Sequence, residues 1–151
     1  MRYYPVFLDI RGKRCAVVGG GKVAQRKVMG LLCAGAQVCV ISPALAPRLK
    51  NLADKGKIEH ISRAYRKGDL KGAAIVISAS GSKAANAAVF KEAARRAIPV
   101  NTVDDLAVCS FIVPSIVDRG DLLIAISTSG NAPVLSKRLR LGLEKTIGKE
   151  F

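Results

Sequence analysis

Ten residues, Cys15–Ala24 (CAVVGGGKVA), constrain the chain more than any others. A short apolar run breaks into three glycines and continues in a helical pattern, which reads as strand, tight turn, helix. Gly19, Gly21 and Ala24 fit the G-x-G-x-x-G/A pattern, in which missing side chains let backbone N–H groups approach a pyrophosphate. The helix start behind such a turn carries unpaired N–H groups and the positive end of the helix dipole, and both favour phosphate. A glycine turn that merely packs a strand on a helix has the same sequence, so the rest of the chain must discriminate.

Around the turn the sequence predicts an open parallel sheet. Residues 3–10 alternate loosely and are expected as a lead-in strand. The first helix is expected over Lys22–Ala34 with Gly35 as its stop, and Gln37–Ile41 (QVCVI) as a second buried strand. A helix over 44–55, a strand over 58–62, a strand over 74–78, a helix from Ala84 to Arg96 and a strand over 100–103 follow. Ligands of such sheets lie beyond the strands' carboxyl ends, so Ser42, Ala79, Ser80 and the residues after Val103 should converge on the glycine turn. An acidic residue usually anchors the ribose about 20 residues past the glycines, but here Ile41, Ser42 and Pro43 occupy that stretch. A hydroxyl and backbone groups would have to serve, and by pattern alone NADP stays open.

From Cys109 the grammar changes. Strands over 111–117, with Pro114 marking an edge or bulge, and over 122–127 make a hairpin, and Asn131 caps a last helix with Pro133 in its first turn. Leu135, Leu139, Leu143 and Ile147 recur every four residues, and a hairpin plus one helix is a thin unit to bury that stripe. A subunit interface is expected there. The fold class is thus α/β, a Rossmann-like parallel sheet over residues 1–108 followed by a small β-hairpin plus helix dimerisation region over 109–151.

Composition narrows the partners. Half the residues are hydrophobic and 24% are charged, which excludes a disordered chain; no apolar run approaches a membrane span, and the N-terminus lacks the form of a signal peptide, so a cytoplasmic protein is expected. The spacing of Cys15, Cys33, Cys39 and Cys109 fits neither a zinc site nor a redox pair, so buried thiols and no metal site are expected. The single histidine, His60, lies in an alternating run and is expected to face solvent. A formal charge of +14 calls for an anionic partner, while the 5% aromatic content argues against stacking on nucleic acid.

Several ordered blocks carry a resemblance: YPVFLDIRGKRCAVVGGGKVAQRKV, PVNTVDD at 99–105, SFIVPSIVDRGDL at 110–122 and AISTSGNAPVLSKRLR at 125–140. Through them the chain resembles the precorrin-2 dehydrogenases of sirohaem biosynthesis, including the N-terminal module of sirohaem synthases. The resemblance implies a homodimer that uses NAD to oxidise precorrin-2, a polycarboxylate tetrapyrrole, to sirohydrochlorin. Iron insertion, which some members add, stays open. The family's further helical segment is expected to be absent. Carried over by position, Gly21, Lys22 and Val23 would meet the dinucleotide phosphates, and Ser42, Pro43 and Ala44 would surround the adenosine ribose; Gly19 by the glycine pattern, and Ala79 and Ser80 by their place at a strand end, are the other expected cofactor contacts. Asp104 takes the place of the catalytic aspartate.

On that footing Asp104 is expected to act as general base, with partial burial raising its pKa towards neutrality. The substrate's carboxylates give the basic charge a use, and Asp105, Arg119, Ser127, Thr128, Ser129, Gly130, Lys137 and Arg138, with Arg140 beside them, are the candidate contacts. Two other classes compete. A non-catalytic NAD(H) sensor would bind dinucleotide without tetrapyrrole, and a nucleic-acid module would bind DNA or RNA with steep salt dependence. The ordered blocks favour the enzyme, with neither nucleic acid nor membrane as partner.

Overall fold

The computed structural model describes residues 1–148, which form two compact units. One spans Val6–Phe111, and the other joins Met1–Pro5 to the segment from Ile112 onward.

The first unit is a five-stranded parallel sheet. Its strands are β1 (Arg14–Val18), β2 (Gln37–Ile41), β3 (Glu59–Ile61), β4 (Ile75–Ser78) and β5 (Val100–Thr102), in the order β3-β2-β1-β4-β5. The helices are α1 (Lys22–Cys33), α2 (Pro47–Asp54) and α3 (Lys83–Arg95). Helices cover both sheet faces, which is why β1, β2 and β4 read as unbroken apolar runs. Their residues nevertheless alternate between two cores. Cys15, Val17, Val38, Val40, Ile75 and Ile77 pack with Ala24, Val28 and Leu31 of α1 and Leu49 of α2. Ala16, Val18, Cys39, Ile41 and Val76 pack with Leu70 and with Val89 and Ala93 of α3. The register aligns the strand ends, pairing Val18 with Ile41 and Ser78, and Ser78 with Thr102. Strand order reverses between β1 and β4, so a crevice opens beside Val18, where doubly wound sheets bind ligands.

Several sequence expectations give way here. Residues 3–10 form no strand, and Val6, Phe7 and Leu8 are exposed; alternation makes a strand only where a sheet edge supplies backbone partners. The second helix begins at Pro47 rather than at residue 44, because residues 42–46 form a turn over the glycines and Pro47 suits the first helical position. Of the thiols, Cys15 and Cys39 are buried, whereas Cys33 is exposed and Cys109 half-buried.

The second unit contains an antiparallel hairpin of β6 (Ser115–Arg119) and β7 (Leu122–Ile126), then α4 (Pro133–Thr146). Arg119 pairs with Leu122 across a two-residue turn in which Gly120 has φ +73, a conformation that suits glycine. Pro114 precedes β6 rather than interrupting it, so no ladder hydrogen bond is lost. The residue before α4 is Ala132, not Asn131; its N–H donates to Thr128 Oγ1 (3.1 Å). The leucine stripe is not core within this unit: Leu135 and Leu139 are about half exposed, at 50% and 48%, and Ile147 lies past the helix end. A two-stranded ribbon offers too little surface to cover a helix of this length. Among the described residues no helix is long and apolar enough to cross a membrane.

Candidate functional site: the glycine turn and its neighbours

The three glycines do different work. Gly19 has φ +119, and a Cβ there would lie 2.3 Å from the Ala79 carbonyl oxygen. A Cβ on Gly20 would lie 2.0 Å from the Ala44 carbonyl oxygen and 2.7 Å from Ser42 Oγ. These two residues must be glycine so that the chain ends after β1, β2 and β4 can meet. Gly21 is different. A Cβ on it would meet nothing within 4 Å, and its extended backbone is open to any residue. Packing therefore explains two of the glycines and leaves the third, exposed and heading α1, to be explained by close approach of something else. α1 has no side-chain cap and no acidic residue in its first turn, so its leading N–H groups remain available to an anion. A dinucleotide pyrophosphate fits this arrangement.

Lys22 and Val23, with Gln25, Arg26, Ala46 and Pro47, line a cleft of about 490 Å³ beside the turn. A second cleft, about 310 Å³, is lined by Arg14, Gln37, Lys57 and Glu59 among others, at the amino ends of β1 and β2. Ligands of parallel sheets bind at the carboxyl ends, so only the first belongs to the site.

The expected ribose residues form a tied turn. Ser42 N–H donates to Ile61 O (3.2 Å), Ser42 Oγ donates to Ala44 O (2.7 Å), and Ala46 N–H donates to Gly20 O (2.7 Å). Ser42 is only 8% exposed and its hydroxyl turns inward, so the surface offered to a ribose is that of Pro43 and Ala44. The hydroxyl that the sequence offers at this position is thus engaged as a donor within its own turn. His60 does not face solvent either: it is half-buried, and its Nε2 lies 2.9 Å from Ser42 O. On the other side of the crevice, Ala79 N–H donates to Val18 O (2.8 Å). Asn86 of α3 accepts from Ser78 Oγ (2.7 Å) and donates to Ser80 O (3.1 Å). The sequence singled out His60 only as a lone, solvent-facing histidine and did not mark Asn86 at all, since each acts on a segment distant in the chain.

Asp104 follows β5, whose ladder is extended by Val103 N–H donating to Ser78 O (2.9 Å). It has φ +62, in the left-handed region that Asp tolerates better than most side chains. Its side chain is exposed; the partial burial expected of it is not observed. Asp105 serves locally, its Oδ1 accepting from Ala107 N–H (3.2 Å) at the start of a short 3-10 turn. Lys27 of α1 is half-buried. Burial and then the Arg26 charge hold its ammonium below the usual lysine range, while Cys109 and Asp104 oppose that shift.

The remaining candidates lie in the second unit. Ser127–Gly130 form the loop before α4, with Ser127 Oγ accepting from Ser129 N–H (3.0 Å) and Ser129 at φ +55. Lys137 and Arg138 are exposed on α4, whereas Arg140 pairs with Glu144. Arg119 is occupied: Nε donates to Ile147 O and Gly148 O (both 3.1 Å), Nη1 to Asp118 O (2.8 Å) and Nη2 to Glu144 O (3.1 Å). Its guanidinium caps the carboxyl end of α4. Among the described residues no three His, Cys, Asp or Glu side chains cluster as a metal site.

A family model described as "Putative NAD(P)-binding" matches residues 6–115. The chain belongs to that NAD(P)-binding family. The matched stretch includes the glycine turn, the 42–46 turn and Asp104, and a second model, described as sirohaem biosynthesis protein central, matches residues 119–145. Relatives of this NAD(P)-binding chain include the siroheme synthase of Methylobacillus flagellatus, 47% identical over 147 residues, covering 97% of this chain and 32% of that protein. The siroheme synthase of Chromobacterium violaceum is 42% identical over the same length, covering 97% and 31%. The chain thus spans about a third of the curated relatives it matches. Among solved structures, one titled SirC, precorrin-2 dehydrogenase, superposes with a TM-score of 0.82 at 28% identity, covering 97% of this chain and 72% of that one.

Proposed function

We propose that the chain oxidises precorrin-2 to sirohydrochlorin with NAD+ in sirohaem biosynthesis, as a cytoplasmic homodimer. The observation that carries this reading is Gly21, a glycine that packing does not require, heading an uncapped helix at the switch point of the sheet, with Asp104 just past the carboxyl end of β5, two strands from β1. The likeness to a precorrin-2 dehydrogenase structure and to siroheme synthases supports the substrate class.

In this reading the α1 N–H groups and Lys22 hold the pyrophosphate, with Gly19, Val23, Ala79 and Ser80 shaping the space around it, and Ser42, Pro43 and Ala44 form the seat for the adenosine ribose. Bound NAD+ supplies the hydride acceptor. Asp104 takes a proton from the macrocycle, and because its side chain is exposed, the covering macrocycle itself excludes water from it. Asp105, the Ser127–Gly130 loop, Lys137 and Arg138 are the proposed contacts to the substrate's polar groups and carboxylates. Arg119 would contribute by fixing the end of α4, on which those cations stand. The half-exposed Leu135 and Leu139 supply the apolar face of a dimer. NAD rather than NADP is proposed because no cation among Ser42, Pro43 and Ala44 would compensate a 2′-phosphate.

The test is a spectrophotometric assay with precorrin-2 and NAD+, then with added Fe2+. Turnover by the wild type, abolished in Asp104→Asn with NAD+ binding retained, is the expected result. NAD+ binding without turnover would favour a non-catalytic NAD(H) sensor. A monomer by light scattering at micromolar concentration would remove the dimer.

A further inference from the structure

We propose that His60 is a positioning residue of the dinucleotide site: by donating its Nε2–H to the Ser42 carbonyl, it holds the turn on which the adenosine ribose would rest.

A carbonyl oxygen can only accept, so the 2.9 Å contact fixes the proton on Nε2. Ser42 is buried and His60 half-buried, so this bond is partly shielded from water. His60 sits in the middle of β3, a three-residue strand at the sheet edge, in register with Val40. The neighbouring tie, from Ser42 N–H to Ile61 O, is longer at 3.2 Å. A displaced turn would be felt at the glycines. Ala44 O and Ser42 Oγ abut the Cα of Gly20 so closely that no Cβ fits, and Ala46 N–H bonds Gly20 O. Gly20 leads directly into Gly21, the residue heading α1.

The contact matters more in this chain than in an ordinary dinucleotide site. Where an Asp or Glu grips the ribose hydroxyls, small errors in backbone position are absorbed by a flexible side chain. Residues 41–44 offer no such side chain, since Ser42 is bonded inward and Ile41 is buried. Recognition falls to the backbone surface of Pro43 and Ala44, so the adenosine half is bound only as well as that turn is placed.

This inference rests on the reading of the site as a dinucleotide site. The experiment is an equilibrium titration of the 151-residue chain with NAD+ and with ADP-ribose, comparing wild type, His60→Phe and His60→Gln, with thermal melts alongside. His60→Phe keeps a ring and loses the N–H; it should weaken both ligands roughly three- to ten-fold, the range of a single hydrogen bond. His60→Gln places an amide N–H near the Nε2 position and should restore most of the affinity. Should His60→Phe fail to fold, His60→Asn, whose amide is too short to reach, replaces it. Equal affinities in wild type and the donor-less variant overturn the inference alone, as does a loss that Gln fails to rescue. A wild type that binds neither ligand overturns the dinucleotide reading and this one with it.

Discussion

Gly20→Ala and Gly21→Ala make the same change one residue apart, and the structure predicts opposite outcomes. At Gly20 the new methyl would sit 2.0 Å from Ala44 O, a backbone atom held by the 42–46 turn. Relief requires moving that turn off the end of β1, losing the Ala46 to Gly20 hydrogen bond and opening the contact between Gly20 and the buried Ser42. Overpacking of this kind costs on the order of 1–3 kcal/mol, and a lost backbone hydrogen bond adds about 1 kcal/mol. For a chain of this size a loss of 3 kcal/mol lowers Tm by roughly 6–12 °C. At Gly21 the methyl enters open space on a backbone that alanine adopts freely. Alanine is the poorer N-cap by about 0.5–1 kcal/mol, which the reduced entropy of the unfolded chain offsets by about 0.4–1 kcal/mol. The Tm of Gly21→Ala should therefore stay within about 3 °C of wild type. Its affinity for NAD+ should nonetheless fall by roughly ten-fold or more, because the methyl holds the pyrophosphate away from the α1 N–H groups and about 1.4 kcal/mol of that contact is lost. Differential scanning fluorimetry with calorimetric NAD+ titration reads both quantities. A Gly21→Ala chain that binds NAD+ like wild type would show that the glycine turn serves packing alone.

Other outcomes follow from the structure's buried and capped groups. Glu92 is 5% exposed and accepts from Tyr65 OH, Gly68 N–H (2.9 Å) and Arg96 Nε (2.7 Å). Burial pushes its carboxyl up, but the bonds from Tyr65, Gly68 and Arg96 outweigh this and hold it below the usual range. The native state thus takes up its proton less readily than the unfolded chain. Its stabilisation is complete above the ordinary glutamate pKa of about 4.3 and is lost as pH falls through the lowered native value. Glu92→Gln should cost about 2–3 kcal/mol at pH 7 and flatten the fall in Tm below pH 4.5; parallel profiles would contradict this. Arg119→Ala should speed hydrogen exchange at the end of α4, near Glu144 and Ile147, by roughly ten-fold, since three of the carbonyls that lose their donor lie at or just past the end of that helix. Unchanged exchange there would return Arg119 to the substrate candidates. In native protein a disulfide reagent should modify exposed Cys33 first, while Cys15 and Cys39 wait for unfolding. Burial, reinforced by Glu59, pushes the Cys39 thiol up to about 11. Fast labelling of Cys39 would mean that the sheet opens readily.

Local pattern carried the parallel sheet. The unbroken apolar runs of β1, β2 and β4, each closed by a small or turn-forming residue, follow from burial on both faces and need no knowledge of neighbours. The weak points were segments whose conformation is imposed from elsewhere. Residues 3–10 have strand-like alternation without a partner edge, and the second helix starts late because its first residues are held over Gly20. The leucine stripe of α4 announced an apolar face, but whether that face is core depended on how much surface the hairpin could offer.

By itself, the sequence determined that Gly19 to Gly21 form a strand-to-helix turn and that Asp104 closes the fifth strand, because both depend on residues adjacent in the chain. Only the tertiary structure decided that Gly19 and Gly20 are glycine for packing and Gly21 is not, since that depends on where the carbonyls of Ala79 and Ala44 lie, some 60 and 25 residues away. The same holds for His60 and Arg119. A hydrogen-bonding side chain reads as solvent-facing or as ligand-binding until the acceptor that claims it is brought beside it by the fold.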